Sequence, residues 1–187
     1  MARAKKPGPP PPASVRSGYV DLGVDGYYRA HAADYRNPHE PAIGLCLAGL
    51  VQRRMPDLSG VLDLACGSGE ATLALRALGA GHVDGMDPFT GHAYAARTGQ
   101  QAEAVSFELI AGGALAGRRW SLIVCSFALH LLPASRLAGT LTQLALCAPE
   151  LWVITPHKRP DIRAAWGWRL IDEIVVDRVR GRVYLTQ

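Results

Sequence analysis

Residues 61–75, VLDLACGSGEATLAL, constrain the fold of this chain more than any other stretch. An apolar run with one acid leads into two glycines and then into a helically spaced tail. A strand that passes to a helix through a glycine turn opens a βαβ unit, and such units build a parallel sheet covered by helices. The alternation continues downstream. Periodicity predicts strands over 60–64, 82–86, 105–110, 121–127 and 151–155. It predicts helices over 42–54, 70–78 and 90–97, and one capped by Ser135 that carries Leu137, Leu141 and Leu144. Residues 121–127, SLIVCSF, are apolar enough for a strand buried on both faces. Residues 166–187 hold two β-rich segments around Arg180-Gly181, read as a closing antiparallel pair. The expected architecture is an open α/β sheet, mostly parallel, with an antiparallel C-terminal edge and helices on both faces.

A chain of 187 residues, 49% apolar, can bury one sizeable core. Residues 1–17 form a basic, proline-rich tail that cannot build a core: five prolines, no acid, and the cations Arg3, Lys5, Lys6 and Arg16. Residues 18–187 read as a single domain in which 18–56 are an N-terminal lid or helical segment. The tail lacks the apolar region of a secretory signal. The longest mostly apolar stretch, 41–51, is far short of the ~20 residues of a membrane span, so no membrane role is expected. The formal charge of +4 resides in the tail, because without it basic and acidic residues stand at 16 each. A formally neutral body argues against a nucleic-acid binder built on a clustered basic face. Cys46, Cys66, Cys125 and Cys147 are widely spaced in apolar surroundings, with no C-x-x-C pair. They read as buried reduced thiols rather than a metal site, in an intracellular, cytoplasmic setting, with organelle or nuclear targeting by the tail left open.

In open parallel sheets ligands bind outside the carboxyl ends of the strands, where the turn at 65–69 falls. Gly67 and Gly69 let the main chain take strained dihedrals and a ligand lie against bare backbone. A dinucleotide fingerprint would need a third glycine where Thr72 stands, and a phosphate-binding loop would need a Gly-Lys-Ser/Thr that is missing. The run Asp63-Leu64-Ala65-Cys66-Gly67-Ser68-Gly69 instead resembles the first motif of the class I S-adenosylmethionine-dependent methyltransferases. HVDGMDPF is similar to that family's second strand, ending in the acid Asp87, and SLIVCSFALHLLP to its fourth strand and the loop that floors the donor site. The resemblance covers about 60–155. It implies a Rossmann-like sheet of seven strands in the order 3-2-1-4-5-7-6, with S-adenosylmethionine as cofactor and S-adenosylhomocysteine as product. It implies a donor site of Asp63, Ala65, Cys66, Gly67 and Gly69, of Asp87 and Pro88, of Gly113 and Ala114, and of Ser126. Asp87 would accept hydrogen bonds from both ribose hydroxyls, as a carboxylate's two acceptor oxygens allow. Asp63 would favour the ligand's ammonium. Gly113 stands where many members place an acid for the adenine amino group, and Ser121 where an aspartate is common.

The acceptor side is less defined. Tyr27, Tyr28, Tyr35, Arg36 and His39 are candidates for a lid, with Tyr28 and Tyr35 assigned to the donor; the other reading makes them half-buried packing residues. His130 in FALHLL and His157 in TPHKRP each follow a strand that ends at the pocket, and are read either as catalytic groups for an oxygen or nitrogen acceptor or as structural histidines. The Asn/Asp-Pro-Pro-Tyr/Phe signature of amino-base methylation is absent, Ser126-Phe127-Ala128-Leu129 standing in its place, and no cysteine lies at that loop's tip for covalent pyrimidine chemistry. The chain has no insertion the size of a substrate-recognition domain. An open pocket, or one closed by a partner, leans towards RNA or protein as acceptor over a small molecule. The competing reading is a catalytically silent methyltransferase-fold subunit that scaffolds an RNA–protein complex.

Overall fold

The central strands follow from apolar runs with no polar face. β1 (Val61–Leu64) is buried at all four positions and β2 (Val83–Met86) at all but Asp84. β3 (Leu122–Ser126) and β4 (Glu150–Thr155) are buried except at one end. The computed structural model describes residues 36–187, where these strands join β5 (Trp168–Val176) and β6 (Val179–Thr186) in one six-stranded sheet. The order is β2-β1-β3-β4-β6-β5. The first four are parallel, with Leu64 beside both Met86 and Cys125, and β6 runs antiparallel to β4 and β5.

Five helices flank the sheet among the described residues: α1 (Glu40–Arg54), α2 (Glu70–Ala77), α3 (Gly91–Thr98), α4 (Phe107–Ala111) and α5 (Ala134–Ala145). The two-residue period of the strands sorts their side chains into two cores. Leu62, Leu64, Ile123 and Val153 pack with Leu137, Leu141 and Leu144 of α5. Val61, Val124, Trp152 and Ile154 pack with Ile43, Leu47 and Leu50 of α1 and Leu75 of α2. The chain leaves β1 towards β2 and later returns to β1's other side as β3, which opens a crevice at the carboxyl ends of these strands.

Three local expectations are corrected. Residues 105–110 are no strand: Ser106 caps α4, its Oγ accepting from Leu109 N at 3.4 Å, and the neighbouring chain touches β2 only through a single bridge, Met86 to Glu103. Phe-Glu-Leu-Ile alternates on paper, yet Leu109 is exposed while Ile110 is fully buried, and a serine cap organises the turn before any ladder can form. The described sheet therefore has six strands rather than seven. Ser135 lies inside the first turn of α5, whose cap position is Pro133. The β5–β6 turn is Asp177-Arg178, with φ of 47° and 66°, the double positive φ that suits a tight hairpin. Gly181 lies within β6 instead, where an added Cβ would meet Leu50 Cδ1 of α1 at 3.0 Å. All four cysteines are free and buried. Among the described residues no helix is long and apolar enough to cross a membrane, and no group of His, Cys, Asp and Glu is arranged to hold a metal ion. The tail at 1–17 and the tyrosines Tyr27, Tyr28 and Tyr35 lie outside the described residues.

Candidate functional site

The turn after β1 is wound tightly, with φ of 56° at Ala65, 56° at Gly67 and 89° at Gly69. A side chain at Gly69 would be excluded twice, by that φ and by Thr98 Cγ2 of α3 lying 2.5 Å from an added Cβ. Gly69 thus serves the close packing of α3 as well as the bareness of the turn.

Asp63 closes the bottom of this turn. It is fully buried, and its Oδ2 accepts from Thr72 N at 2.9 Å and from Thr72 Oγ1 at 2.6 Å. Thr72 Oγ1 also lies 3.1 Å from the buried Tyr94 hydroxyl. Thr72, which on sequence grounds only removed the dinucleotide reading, is the residue that orients Asp63. Asp63 Oδ1 has no hydrogen-bond partner among the described residues. Burial pushes this carboxyl up to about 7, with Glu70 and Asp87 adding to the rise and Thr72 opposing it. Burial likewise raises the Cys66 thiol, whose backbone N–H donates to Met86 O at 3.0 Å.

Asp87, at the end of β2, latches the two loops together. Its Oδ1 accepts from Phe89 N at 2.8 Å and Thr90 N at 3.0 Å, and its Oδ2 from Gly67 N at 3.3 Å. Thr90 Oγ1 donates to Gly67 O at 2.7 Å, while Pro88 is exposed beside the latch. Asp63, Ala65, Cys66, Gly67, Gly69, Asp87 and Pro88 are thereby gathered at one place. Ser126 joins them at the end of the neighbouring β3. Gly113 and Ala114 are not brought there. They follow α4 at the end where Cys147 Sγ donates to Leu115 O and Gln143 Oε1 lies 4.0 Å from an added Gly113 Cβ, beside the last turn of α5 rather than at the strands' carboxyl ends. Ser121 ties the starts of β3 and β1, its Oγ donating to Gly60 O at 2.8 Å.

A second cluster escaped the sequence reading. Glu70, directly after the turn, is buried, and its Oε1 accepts from Asn37 N at 2.9 Å and from Ser68 Oγ. Arg97 of α3 lies between Glu70, at 3.5 Å, and Glu40 of α1, at 2.5 Å. The signal for Glu70 was its place next to Gly69; nothing in the sequence pairs it with Asn37 or Arg97.

Beyond β3 the rings of His39, Phe127, His130 and His157 form a chain. Phe127 holds φ of 56°, rare for an aromatic residue, and stacks on His39 with centroids 4.9 Å apart. His130 meets Phe127 edge-on at 6.5 Å and His157 at 5.1 Å. The Nδ1 of His130 is buried without a hydrogen-bond partner among the described residues, and burial together with His157 lowers its pKa to about 4. His157 is exposed at the rim.

Comparison with known proteins agrees with this geometry. The methyltransferase domain family model matches residues 61–148. A Schizosaccharomyces pombe protein described as uncharacterised is 32% identical over 199 residues, 84% of this chain and 80% of its own. The magnesium protoporphyrin IX methyltransferase of Synechocystis, solved with S-adenosylmethionine, superposes with a TM-score of 0.60 at 19% identity over 92% of this chain and 95% of that one. The 1,6-didemethyltoxoflavin-N1-methyltransferase of Burkholderia thailandensis, solved with 1,6-didemethyltoxoflavin and S-adenosylhomocysteine, gives 0.64 at 18% over 97% and 94%. Those likenesses establish the fold, and with the family match over the glycine turn and the strands around it, the chain belongs to the class I S-adenosylmethionine-dependent methyltransferases.

Proposed function

We propose that this protein transfers a methyl group from S-adenosylmethionine to an oxygen or nitrogen acceptor that approaches along His130 and His157. The observation that carries the donor half is Asp63 Oδ1, a fully buried carboxylate oxygen with nothing to accept from among the described residues. An orphaned buried polar group costs on the order of 1–3 kcal/mol, and a ligand ammonium meeting it would recover that cost. Bound S-adenosylmethionine supplies a methyl carbon already activated by a sulfonium, so the chain's task is alignment and the handling of one proton. Asp87 would turn towards the ribose diol by giving up its longest bond, the 3.3 Å contact with Gly67 N, while Phe89 N and Thr90 N keep its other oxygen in place. Ala65, Cys66 and Gly67 offer backbone to the methionine part, and Pro88 and Ser126 border the adenosyl part. Tyr28 and Tyr35 remain candidates for covering it. Gly113 and Ala114, beside the last turn of α5, take no part in the adenine pocket in this reading.

On the acceptor side the two histidines divide the work. A ring with a pKa of about 4 is neutral near pH 7 and accepts a hydrogen bond, but is a poor store for a proton, so His130 orients the acceptor. The base is then His157, at the solvent edge. A preference for RNA or protein over a small molecule draws no support from this rim, and the two ligand-bearing neighbours are named for small molecules. The test joins calorimetric titration with S-adenosylhomocysteine to a methylation screen of RNA, protein and metabolite pools. His157→Ala is expected to keep donor affinity and lose roughly 10²–10⁴-fold in turnover; near-normal turnover would leave alignment alone as the mechanism. Tight donor binding with no methylation of any pool would move the protein to the scaffolding reading.

A further inference from the structure

We propose that Arg182 is the positioning residue of the acceptor side: from β6 it holds the backbone of the loop after β4 so that the His157 ring stays against His130. The inference rests on the reading that these two histidines line the acceptor's approach. Residues 157–159 of that loop are exposed, so packing does not fix them. Main-chain carbonyls do. Arg182 is 5% exposed, and its Nη2 donates to His157 O at 2.8 Å and, more weakly, to Arg159 O at 3.5 Å. Its Nη1 donates to Pro160 O at 2.9 Å and to the Tyr184 hydroxyl at 3.4 Å. Thr155 Oγ1 closes the loop from inside, accepting from His157 N and donating to Arg159 O, both at 3.3 Å.

A buried guanidinium is an expensive way to fill space, and an apolar side chain of similar volume often serves stability as well or better. What an apolar residue lacks is a planar fork of N–H donors that spans several carbonyls at once. Here that fork is spent on the loop that carries His157. Among the described residues the charge is met by Glu173 Oε2 alone, 3.3 Å from Nε without hydrogen-bond geometry, and Glu173 is shared with Arg180. The arrangement suits a residue kept for loop geometry.

Three measurements on the full chain test this, none of which needs the acceptor. The first is the imidazole titration of His130 by NMR, which reports whether the loop still covers it and brings His157 near. The second is tryptic cleavage after Lys158, which requires the loop to leave its bound conformation. The third is affinity for S-adenosylhomocysteine. In Arg182→Met the His130 titration is expected to move from about 4 towards the ordinary 6.5, cleavage to accelerate about tenfold or more, and affinity to stay unchanged. Arg182→Lys retains one donor group and should fall between the two, which also covers the case in which the methionine variant fails to fold. A folded variant with wild-type titration and cleavage overturns the role of Arg182 alone. A wild-type protein that does not bind S-adenosylhomocysteine overturns the donor reading, and the positioning role with it.

Discussion

Asp63 shows how one orphaned atom becomes a measurable property. Its carboxyl is pushed up to about 7, against 3.8 for a free side chain, so the folded state holds this proton more tightly than the unfolded state does. By linkage its contribution to stability is greatest below the unfolded value and is lost as pH rises through about 7. A ligand ammonium reverses the preference, because it binds the ionised form. S-adenosylhomocysteine affinity should therefore weaken by about tenfold per unit as pH falls below that value, with proton release on binding near neutrality. Asp63→Asn should be weak and flat with pH. Calorimetry in buffers of different ionisation enthalpy measures both, and a wild-type affinity that ignores pH across this range removes Asp63 from the ammonium site. Asp87→Ala tests the other acid: loss of a charged acceptor from two hydroxyls should cost roughly 1–3 kcal/mol of S-adenosylhomocysteine binding. Asp87 also latches Gly67 to the Phe89–Thr90 loop, so the unfolding of the ligand-free variant must be measured beside it. Unchanged affinity would place the ribose elsewhere.

Elements differ in how far their sequence betrays them. β1, β3 and β4 are buried on both faces and left predominantly apolar runs, broken in β1 by Asp63 alone, and the turn at 65–69 left its two glycines. The donor half of the site was readable because it lies in consecutive residues after two such strands. α4 was hidden, since the short run Phe-Glu-Leu-Ile fits a two-residue and a helical period equally. The long-range contacts were hidden for a different reason. Asn37 to Glu70 spans 33 residues, Arg97 to Glu40 spans 57 and Arg182 to His157 spans 25, and no local pattern links such pairs. Gly85 is a case between these extremes. It sits inside β2, and an added Cβ would lie 2.4 Å from Tyr94 Cζ and 2.6 Å from its hydroxyl, the same hydroxyl that meets Thr72 under Asp63. Gly85→Ala should thus cost about 1–3 kcal/mol of stability by overpacking, measured by chemical denaturation. Adding Tyr94→Leu should recover part of that loss, since the two changes share one space. An undiminished stability in the single variant would mean that α3 shifts freely on the sheet.

Across the whole molecule, the start of α1 and the three residues before it form a joint between the donor and acceptor halves. Asn37 N donates to Glu70 beneath the glycine turn, Glu40 reaches Arg97 of α3, and between them His39 stacks on Phe127, which meets His130 and through it His157. Within four consecutive residues, Asn37, His39 and Glu40 thus touch α2, the loop after β3 and α3. A hydrogen bond to a charged group is worth roughly 1.5–3 kcal/mol, so losing the Asn37–Glu70 bond, with the ion pair and the ring stack beside it, should loosen the turn that carries Gly67 and Gly69. The basic tail at 1–17 has a composition that cannot build a core, and nothing in the donor reading uses it. Removal of residues 1–17 should therefore leave S-adenosylhomocysteine affinity unchanged, whereas removal through Pro41 should weaken it about tenfold or more. Arg97→Ala separates the cause, because it cuts the link between Glu40 and Glu70 while leaving every residue of the N-terminal segment present; if the joint transmits order to the turn, this variant should lose part of the same affinity. Equal affinity in both truncations would reduce the segment to packing.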